Sequence, residues 1–344
     1  MSPAGLLRTI VPPALALAVA WAVDRRGERQ GLTPPGFRTP WRRALAGLVV
    51  AAVIWAGVTA PLGHVGRAMP QPDLSTLSTP ELFLLHGLLL AAILVWFLLG
   101  FAGVRTPLPV PPPLPAPDLP AELAEPAPGP PAAPAAAIPP AVYPYAAPAA
   151  PPRPAAPPPA AAGGGSLAHQ LAVQFGFVAP SVPREIGLGL LLGAGAWVVV
   201  LVGIFAFALA LYALGGENAL PKEPPALVPW IAALPIGVRV LVSLSAGVVE
   251  EWFFRGFLQP RVGIALSTSC FVLAHFSYGQ PFMLVGIAML SLIYAFLVRW
   301  RQTLWPAIAA HALFDGVQLL VVIPWALKLM GAHGAKAAAL LGFC

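Results

Sequence analysis

Eight runs of apolar residues, each long enough to cross a lipid bilayer as an α-helix, constrain the fold of this sequence more than any other feature. Hydrophobic residues make up 58% of the chain and charged residues only 9%, a composition typical of integral membrane proteins. The runs are bounded by charge, proline or glycine and cover residues 6–23, 44–62, 82–103, 186–214, 236–258, 262–278, 282–298 and 304–323. We therefore expect an all-α polytopic membrane protein with about eight transmembrane helices.

The first run differs from the others because Pro12 and Pro13 interrupt it and Arg8 lies near its start. This pattern is compatible with a signal-like segment. A small-residue cleavage site followed by a soluble domain is not evident, which favours a helix that is retained.

Positive charges predict the orientation, because cytoplasmic loops of membrane proteins are enriched in Lys and Arg. If all eight runs cross the bilayer, the loops on one side hold Arg25, Arg26, Arg29, Arg38, Arg42, Arg43, Arg105, Arg153, Arg184, Arg255, Arg261, Arg299 and Arg301. The loops on the other side hold Arg8, Arg67, Lys222, Lys328 and Lys336. We expect the first side to be cytoplasmic, with the N-terminus outside. The net charge of +6 is too dispersed to indicate a nucleic-acid partner.

A proline- and alanine-rich segment divides the chain into two membrane parts. Proline lacks the backbone donor and fixes φ, so residues 106–165 are predicted to be a disordered linker that ends in three glycines. The predicted domains are an N-terminal three-helix region, 1–105, and a C-terminal membrane domain, 166–344, with a five-helix bundle. Residues 166–178 are expected to lie along the membrane interface with Phe175 and Phe177 inserted.

Almost all the intramembrane polar chemistry falls in the second part. The stretch VVEEWFFRGFLQ, residues 248–259, places two carboxylates and an arginine in an apolar run. FVLAH and HALFD follow on later segments and hold Phe271, His275, His311 and Asp315. A charge at mid-bilayer costs about 3 kcal/mol on insertion scales, so these groups should face one another or a watery cavity.

Helical spacing assigns different roles to the two carboxylates. Glu251 and Arg255 are four residues apart, on one face, and are predicted to form an ion pair. Glu250 is rotated by about 100° and is predicted to be available for another partner. Since an unpaired intramembrane carboxylate is a functional candidate by default, Glu250 is the expected functional carboxylate, able to take a proton from water, and Glu251 a structural residue.

These three segments resemble the CPBP intramembrane proteases, also called the CAAX-protease and bacteriocin-processing or Abi family. EEWFFR matches its EExxxR motif, FVLAH its FxxxH motif, and HALFD its HxxxN/D-type motif. The resemblance covers about residues 230–323. Asp315 stands where the eukaryotic CAAX prenyl endopeptidases carry asparagine, and an aspartate donates to an oxyanion only when protonated.

The resemblance implies hydrolysis of a peptide bond in a membrane-embedded or lipidated protein or peptide. Glu250, His275 and His311 would be catalytic, with support from Glu251, Arg255, Phe271 and Asp315. Glu250 and the two histidines could also hold a divalent metal such as zinc, or act without one. The name of the family implies a metalloprotease, whereas its prenyl-endopeptidase branch looks more like a glutamate protease. The zinc-hydrolase pattern HExxH is absent. The expected location is a bacterial inner membrane.

Two other classes of function fit the same buried cluster. A transporter would also place Glu, Arg and His on neighbouring helices, although the sequence shows no inverted repeat. A non-catalytic scaffold would use the cluster for structure alone. The remaining histidines, His64, His86, His169 and His333, lack acidic neighbours at helical spacing and are interpreted as surface or interface residues.

Overall fold

The computed structural model describes residues 3–65, 78–104, 166–220, 224, 227–276 and 281–333. The predicted linker, 106–165, lies outside the described residues. Within the described ranges the regular secondary structure is helical, with no strand, and seven helices are long and apolar enough to cross a membrane. The prediction of an all-α polytopic membrane protein is confirmed.

The described residues form ten longer helices, α1 to α10, and several shorter helical segments. Helices α1 to α5 are Pro3–Arg29, Pro40–Ile54, Leu84–Phe101, Leu167–Phe175 and Val182–Gly215. α6 comprises Ile236–Ser245 and a π-helical segment, Ala246–Leu258, while α7, α8, α9 and α10 are Gln259–Ala274, Pro281–Arg301, Trp305–Val317 and Ile323–His333. Shorter helical segments are Pro35–Arg38, Trp55–Thr59, Ala60–His64, Thr79–Leu82, Gly216–Ala219, Leu227–Ala233 and Gln318–Val322.

The count of seven spanning helices, instead of the eight predicted, arises at the junction of α6 and α7. These two helices form one continuous stretch, Ile236–Ala274, of 39 residues. At Gly263 the backbone leaves the helical region, with φ 85° and ψ 169°, a conformation that glycine adopts readily. Beyond this break α7 packs back on α6, since Ser267 Oγ donates to the Phe254 carbonyl at 2.6 Å. The residues predicted as two separate spans therefore count as one spanning stretch, which folds back on itself after Gly263.

The N-terminal helices and the C-terminal bundle share one hydrophobic core. Trp96 on α3 contacts Phe257 on α6 edge-to-face, with ring centroids 5.2 Å apart. Phe175 on α4 contacts Trp96 at 6.2 Å and Trp252 at 5.7 Å, and is only 1% exposed. The expectation that Phe175 inserts into lipid is therefore wrong. It is a core residue because aromatic rings from both parts of the chain surround it.

Small residues let α5 approach α9 closely. Gly189 and Gly193 are four residues apart on α5, the spacing typical of tightly packed membrane helices. A Cβ atom at Gly193 would lie 2.8 Å from the Cα of Ala310, whereas one at Gly195 would meet nothing within 4 Å. Since Ala310 precedes His311, this packing fixes the helix that carries a candidate site residue.

Several arginines near the ends of helices contact carbonyl or carboxylate groups of other helices. Arg26 at the end of α1 donates to the Val262 carbonyl at 2.7 Å. Arg43 pairs with Asp24 at 2.7 Å, and Arg301 pairs with Glu185 at 2.9 Å. The contact of Arg26 places the α1–α2 connection beside the α6–α7 turn, as the assignment of both to one side of the membrane requires. Which side faces the cytoplasm stays a prediction.

Replacement of Gly193 by leucine should destabilise the bundle. The added side chain has no room against Ala310, and overpacking of a well-packed core costs about 1–3 kcal/mol. Thermal unfolding of the purified protein in detergent should show a lower Tm for Gly193→Leu. The matched control is Gly195→Leu, whose side chain meets open space, and an equal loss of Tm in both variants would contradict the close packing of α5 on α9.

Reporter fusions should place Gly165 in the cytoplasm and Gly216 outside. The reason is the excess of arginine in the loops that share the side of Gly165. A phosphatase reporter, active outside, and a fluorescent reporter, active inside, should give opposite signals at the two sites. The same side for both fusions would contradict the predicted topology.

Candidate active site

The structure brings polar residues of α6, α7 and α9 together within the membrane-spanning region. Glu250 and Glu251 lie in the π-helical segment of α6, a kind of helix frequent at functional sites. His275 directly follows the last residue of α7, and His311 is buried in the middle of α9. Close contact of α6 with α9 is possible because a Cβ at Gly247 would lie 2.8 Å from the Ile308 carbonyl oxygen. The predicted convergence of these segments is confirmed.

Glu251 is the centre of a buried ion cluster. Arg255 Nη1 lies 2.9 Å from Glu251 Oε1, and both side chains are essentially inaccessible to solvent. The predicted ion pair is confirmed. His311 Nδ1 lies 2.8 Å from the same oxygen, so one carboxylate oxygen faces a donor from its own helix and a donor from α9. Glu251 therefore links α6 to α9.

Arg255 extends this cluster to two more helices. Its Nη2 atom donates to the Ser291 carbonyl at 3.2 Å and to Ser291 Oγ at 3.1 Å on α8. Its guanidinium carbon lies 4.2 Å from the ring centroid of Phe271 on α7, a cation–π distance. Phe271, the first residue of the FxxxH motif, thus packs on the arginine of the EExxxR motif.

The ring of His311 is held on several sides. Its Nε2 atom lies 3.5 Å from Asp315 Oδ2, so a carboxylate faces each ring nitrogen. Its face stacks on Tyr294 of α8 at 5.1 Å with an interplanar angle of 21°. Tyr294 is fully buried, and its hydroxyl has no hydrogen-bond partner among the described residues. The orientation of His311 is therefore determined by its neighbours.

In the sequence Glu250 has no evident local partner, but in the structure it has one. Its Oε1 atom lies 3.2 Å from Nε2 of His86, which belongs to α3 in the N-terminal part. Its Oε2 atom is buried, lies 3.8 Å from His275 Nε2, and has no hydrogen-bond partner among the described side chains. His275 Nδ1 lies 2.8 Å from the Phe271 carbonyl, which can only accept, so Nδ1 carries a proton.

Sequence analysis missed three side chains of this site. His86 was interpreted as a surface or interface residue, yet its side chain is only 14% exposed beside Glu250. Tyr294 and Ser291 contact His311 and Arg255 from α8, which carries no motif. The histidine could have been noticed, because an ionisable residue inside an apolar run is itself a functional signal. Tyr294 and Ser291 carried no comparable signal.

The donor set does not fit a metal in this geometry. Across the described segments, no group of three or more His, Cys, Asp or Glu side chains is arranged to hold a metal ion. Both ring nitrogens of His311 already face carboxylates, since Nδ1 lies 2.8 Å from Glu251 Oε1 and Nε2 lies 3.5 Å from Asp315 Oδ2. The set Glu250, His275 and His311, considered as zinc ligands from the sequence, is not assembled as one.

Comparison with known proteins identifies the segment that carries this site. Residues 232–317 match the family of type II CAAX prenyl endopeptidase Rce1-like proteins. This segment is a CPBP-family domain. It contains Glu250, Arg255, His275 and His311, and leaves His86 outside. The family supports a multi-pass membrane protein with a CAAX-type endopeptidase domain, as the resemblance of the three motifs indicated.

Comparison with a curated relative and with the solved structures gives no further information on function. The uncharacterised protein YpbD of Bacillus subtilis is 27% identical over 79 residues, which are 23% of this chain and 42% of YpbD. The chain thus spans less than half the length of that relative. No solved structure matches.

Replacement of Arg255 by methionine should strongly destabilise the protein. It leaves the Glu251 carboxylate, which is 0% exposed, without its main counter-charge, a change that costs about 3–5 kcal/mol. Folded yield and Tm in detergent should both fall. Glu251→Gln should behave similarly, and Glu250→Gln should retain a nearly normal yield.

The control for this series is Arg25→Met, which removes an arginine from the exposed pair with Glu28. Exposed pairs contribute about 0.2–1 kcal/mol, so the Tm should hardly change. A Glu250→Gln variant that alone fails to fold would contradict the division between a structural and an available carboxylate.

Proposed function

We propose that this protein is an intramembrane endopeptidase in which Glu250 activates the attacking water. The observation that carries the proposal is the difference between the two adjacent carboxylates. Each carboxylate has one buried oxygen, Oε2, without a hydrogen-bond partner among the described residues. Glu251 is paired with the charge of Arg255 and contacts His311 through its other oxygen, whereas Glu250 pairs with no arginine among the described residues and its Oε2 lies 3.8 Å from His275 Nε2. An acceptor oxygen placed beside an imidazole is suited to take a proton from water.

The distance between Glu250 and His275 supports this role. The 3.8 Å between Oε2 and Nε2 is too long for a hydrogen bond, but one water oxygen can lie within hydrogen-bond distance of both atoms. Glu250 would remove a proton from this water as its oxygen attacks the scissile carbonyl carbon. The same carboxylic acid would then return the proton to the leaving amine.

His311 is the proposed donor to the oxyanion that forms on the scissile carbonyl. Glu251 accepts from Nδ1 and Tyr294 stacks on the ring, so Nε2 is held in a fixed direction. At 3.5 Å from Asp315 Oδ2, the Nε2 atom makes at most a weak contact, which an oxyanion could replace. Asp315 would then act through the position and charge of His311 rather than as a donor itself.

An apolar cavity supports a membrane-embedded or lipidated peptide as the substrate. It measures about 110 Å³ and lies between α5, α8 and α9. Its walls include Leu290 and Phe314, whose sequence neighbours Ser291 and Asp315 belong to the site, whereas Glu250, His275 and His311 do not line it. A cavity of this kind would take an apolar side chain or part of a lipid chain. We propose that the reaction takes place in a bacterial cell membrane.

Cleavage should depend on Glu250, His275 and His311 together. The assay uses the purified full chain in liposomes with quenched transmembrane peptides and C-terminal lipopeptides. Alanine at any of the three positions should lower kcat by at least about 100-fold, the usual contribution of an acid–base group. Double variants should be no worse than single ones, because members of one catalytic unit are not additive.

The control variant is His64→Ala, which changes an exposed histidine. Wild-type rates after Glu250→Ala would overturn the proposed function. Absence of cleavage by the wild-type protein would favour the transporter or scaffold instead. A chelator arm assigns the mechanism, since activity lost with chelator and restored by zinc would indicate a metal enzyme, and unchanged activity would indicate a glutamate mechanism.

A further inference from the structure

We propose that His86 is a positioning residue for Glu250, so that the N-terminal three-helix part completes the active site of the CPBP domain. This inference rests on the proposed role of Glu250 as the base. His86 lies outside the matched segment 232–317, and the described residues of α3 carry no other histidine or acidic side chain. The site would therefore be assembled from both sides of the linker.

Hydrogen bonds fix both nitrogens of the His86 ring. Nδ1 lies 2.9 Å from Ser245 Oγ, and that hydroxyl also donates to the Val242 carbonyl at 3.0 Å. Since the single hydroxyl hydrogen is directed to the carbonyl, Ser245 accepts from His86, and Nδ1 carries a proton. Nε2 then faces Glu250 Oε1 at 3.2 Å, within hydrogen-bond distance. The ring is oriented by α6 itself.

The consequence is that the two oxygens of Glu250 differ. Oε1 is engaged by His86, whereas Oε2 is turned towards His275. A carboxylate with one oxygen held has lost the rotation that would exchange the two. The oxygen proposed to accept the proton from water is thereby kept in one direction.

A second group of contacts keeps α3 in register with α6. Trp96 lies ten residues after His86, about 15 Å further along the helix. It packs on Phe257 at 5.2 Å, and its ring lies 4.4 Å from the guanidinium carbon of Arg261. The contact of His86 with Glu250 and that of Trp96 with Phe257 occur in the same order along both helices, so α3 and α6 run parallel. The contacts of Trp96 therefore hold α3 in the position that places His86 beside Glu250.

The test compares His86→Phe, which keeps a ring but removes both nitrogens, with His86→Gln, which keeps a side-chain amide. The control is His64→Phe, at an exposed histidine of the same part of the chain. In the liposome assay, His86→Phe should lower kcat by about 10- to 100-fold, as expected when a reacting group is misplaced, with KM changed less than about twofold. His86→Gln should restore most of kcat, and His64→Phe should match wild type.

A readout without substrate separates this inference from the proposed function. Tm is measured in detergent for His86→Phe, Glu250→Gln and the double variant. Residues in contact give non-additive changes, so His86→Phe should lower the Tm less in the Glu250→Gln background than in wild type. If the wild-type protein cleaves nothing, the proposed function fails, and a non-additive cycle would still support the contact of His86 with Glu250.

Three results would overturn the inference. The first is a wild-type kcat for His86→Phe. The second is an equal loss of kcat in His86→Phe and His86→Gln, which would indicate packing and not hydrogen bonding. The third is an additive Tm cycle, which would show that His86 and Glu250 do not interact in the membrane protein.

Discussion

The buried carboxylate of Glu251 is the interaction on which the rest of the site depends. A charge removed from water is tolerated when it is paired and hydrogen-bonded, and Glu251 meets this condition through Arg255 and His311 on one oxygen. Arg255 in turn contacts Ser291 and Phe271. One ionic cluster therefore joins α6, α7, α8 and α9, and the cost of separating its members holds the four helices at fixed distances.

This cluster also explains how two neighbouring glutamates come to differ. In the sequence Glu250 and Glu251 are equivalent residues in one apolar run. In the fold, the arginine one turn further along the helix engages Glu251, and among the described side chains the ion-pair contacts of Glu250 are with the imidazoles of His86 and His275. Arg255 forms its ion pair with Glu251, so Glu250 is not needed to neutralise the arginine. The two glutamates differ because Glu251 shares a helix face with Arg255, whereas Glu250 is rotated by about 100° from it.

Sequence reasoning succeeded where the governing interactions are local. The apolar runs, the Glu251–Arg255 spacing and the convergence of intramembrane polar residues all follow from the bilayer as solvent and from the period of the helix. It failed where contacts join distant segments. The environments of Phe175 and His86 are created by residues far along the chain, and a pattern within one helix does not contain them. The joining of two predicted spans depended on a single turn at Gly263.

The turn between α6 and α7 contains a charge whose neighbours come from both parts of the chain. Arg261 is 1% exposed, donates to the Phe257 carbonyl at 2.7 Å, and lies between the rings of Trp96 and Phe257. Because ribosomes make the N-terminal helices first, Trp96 is already in the bilayer when this hairpin leaves the translocation machinery. The ring that contacts the arginine in the fold is therefore made before the arginine itself. The order of synthesis thus matches the order in which the buried charge needs its partners.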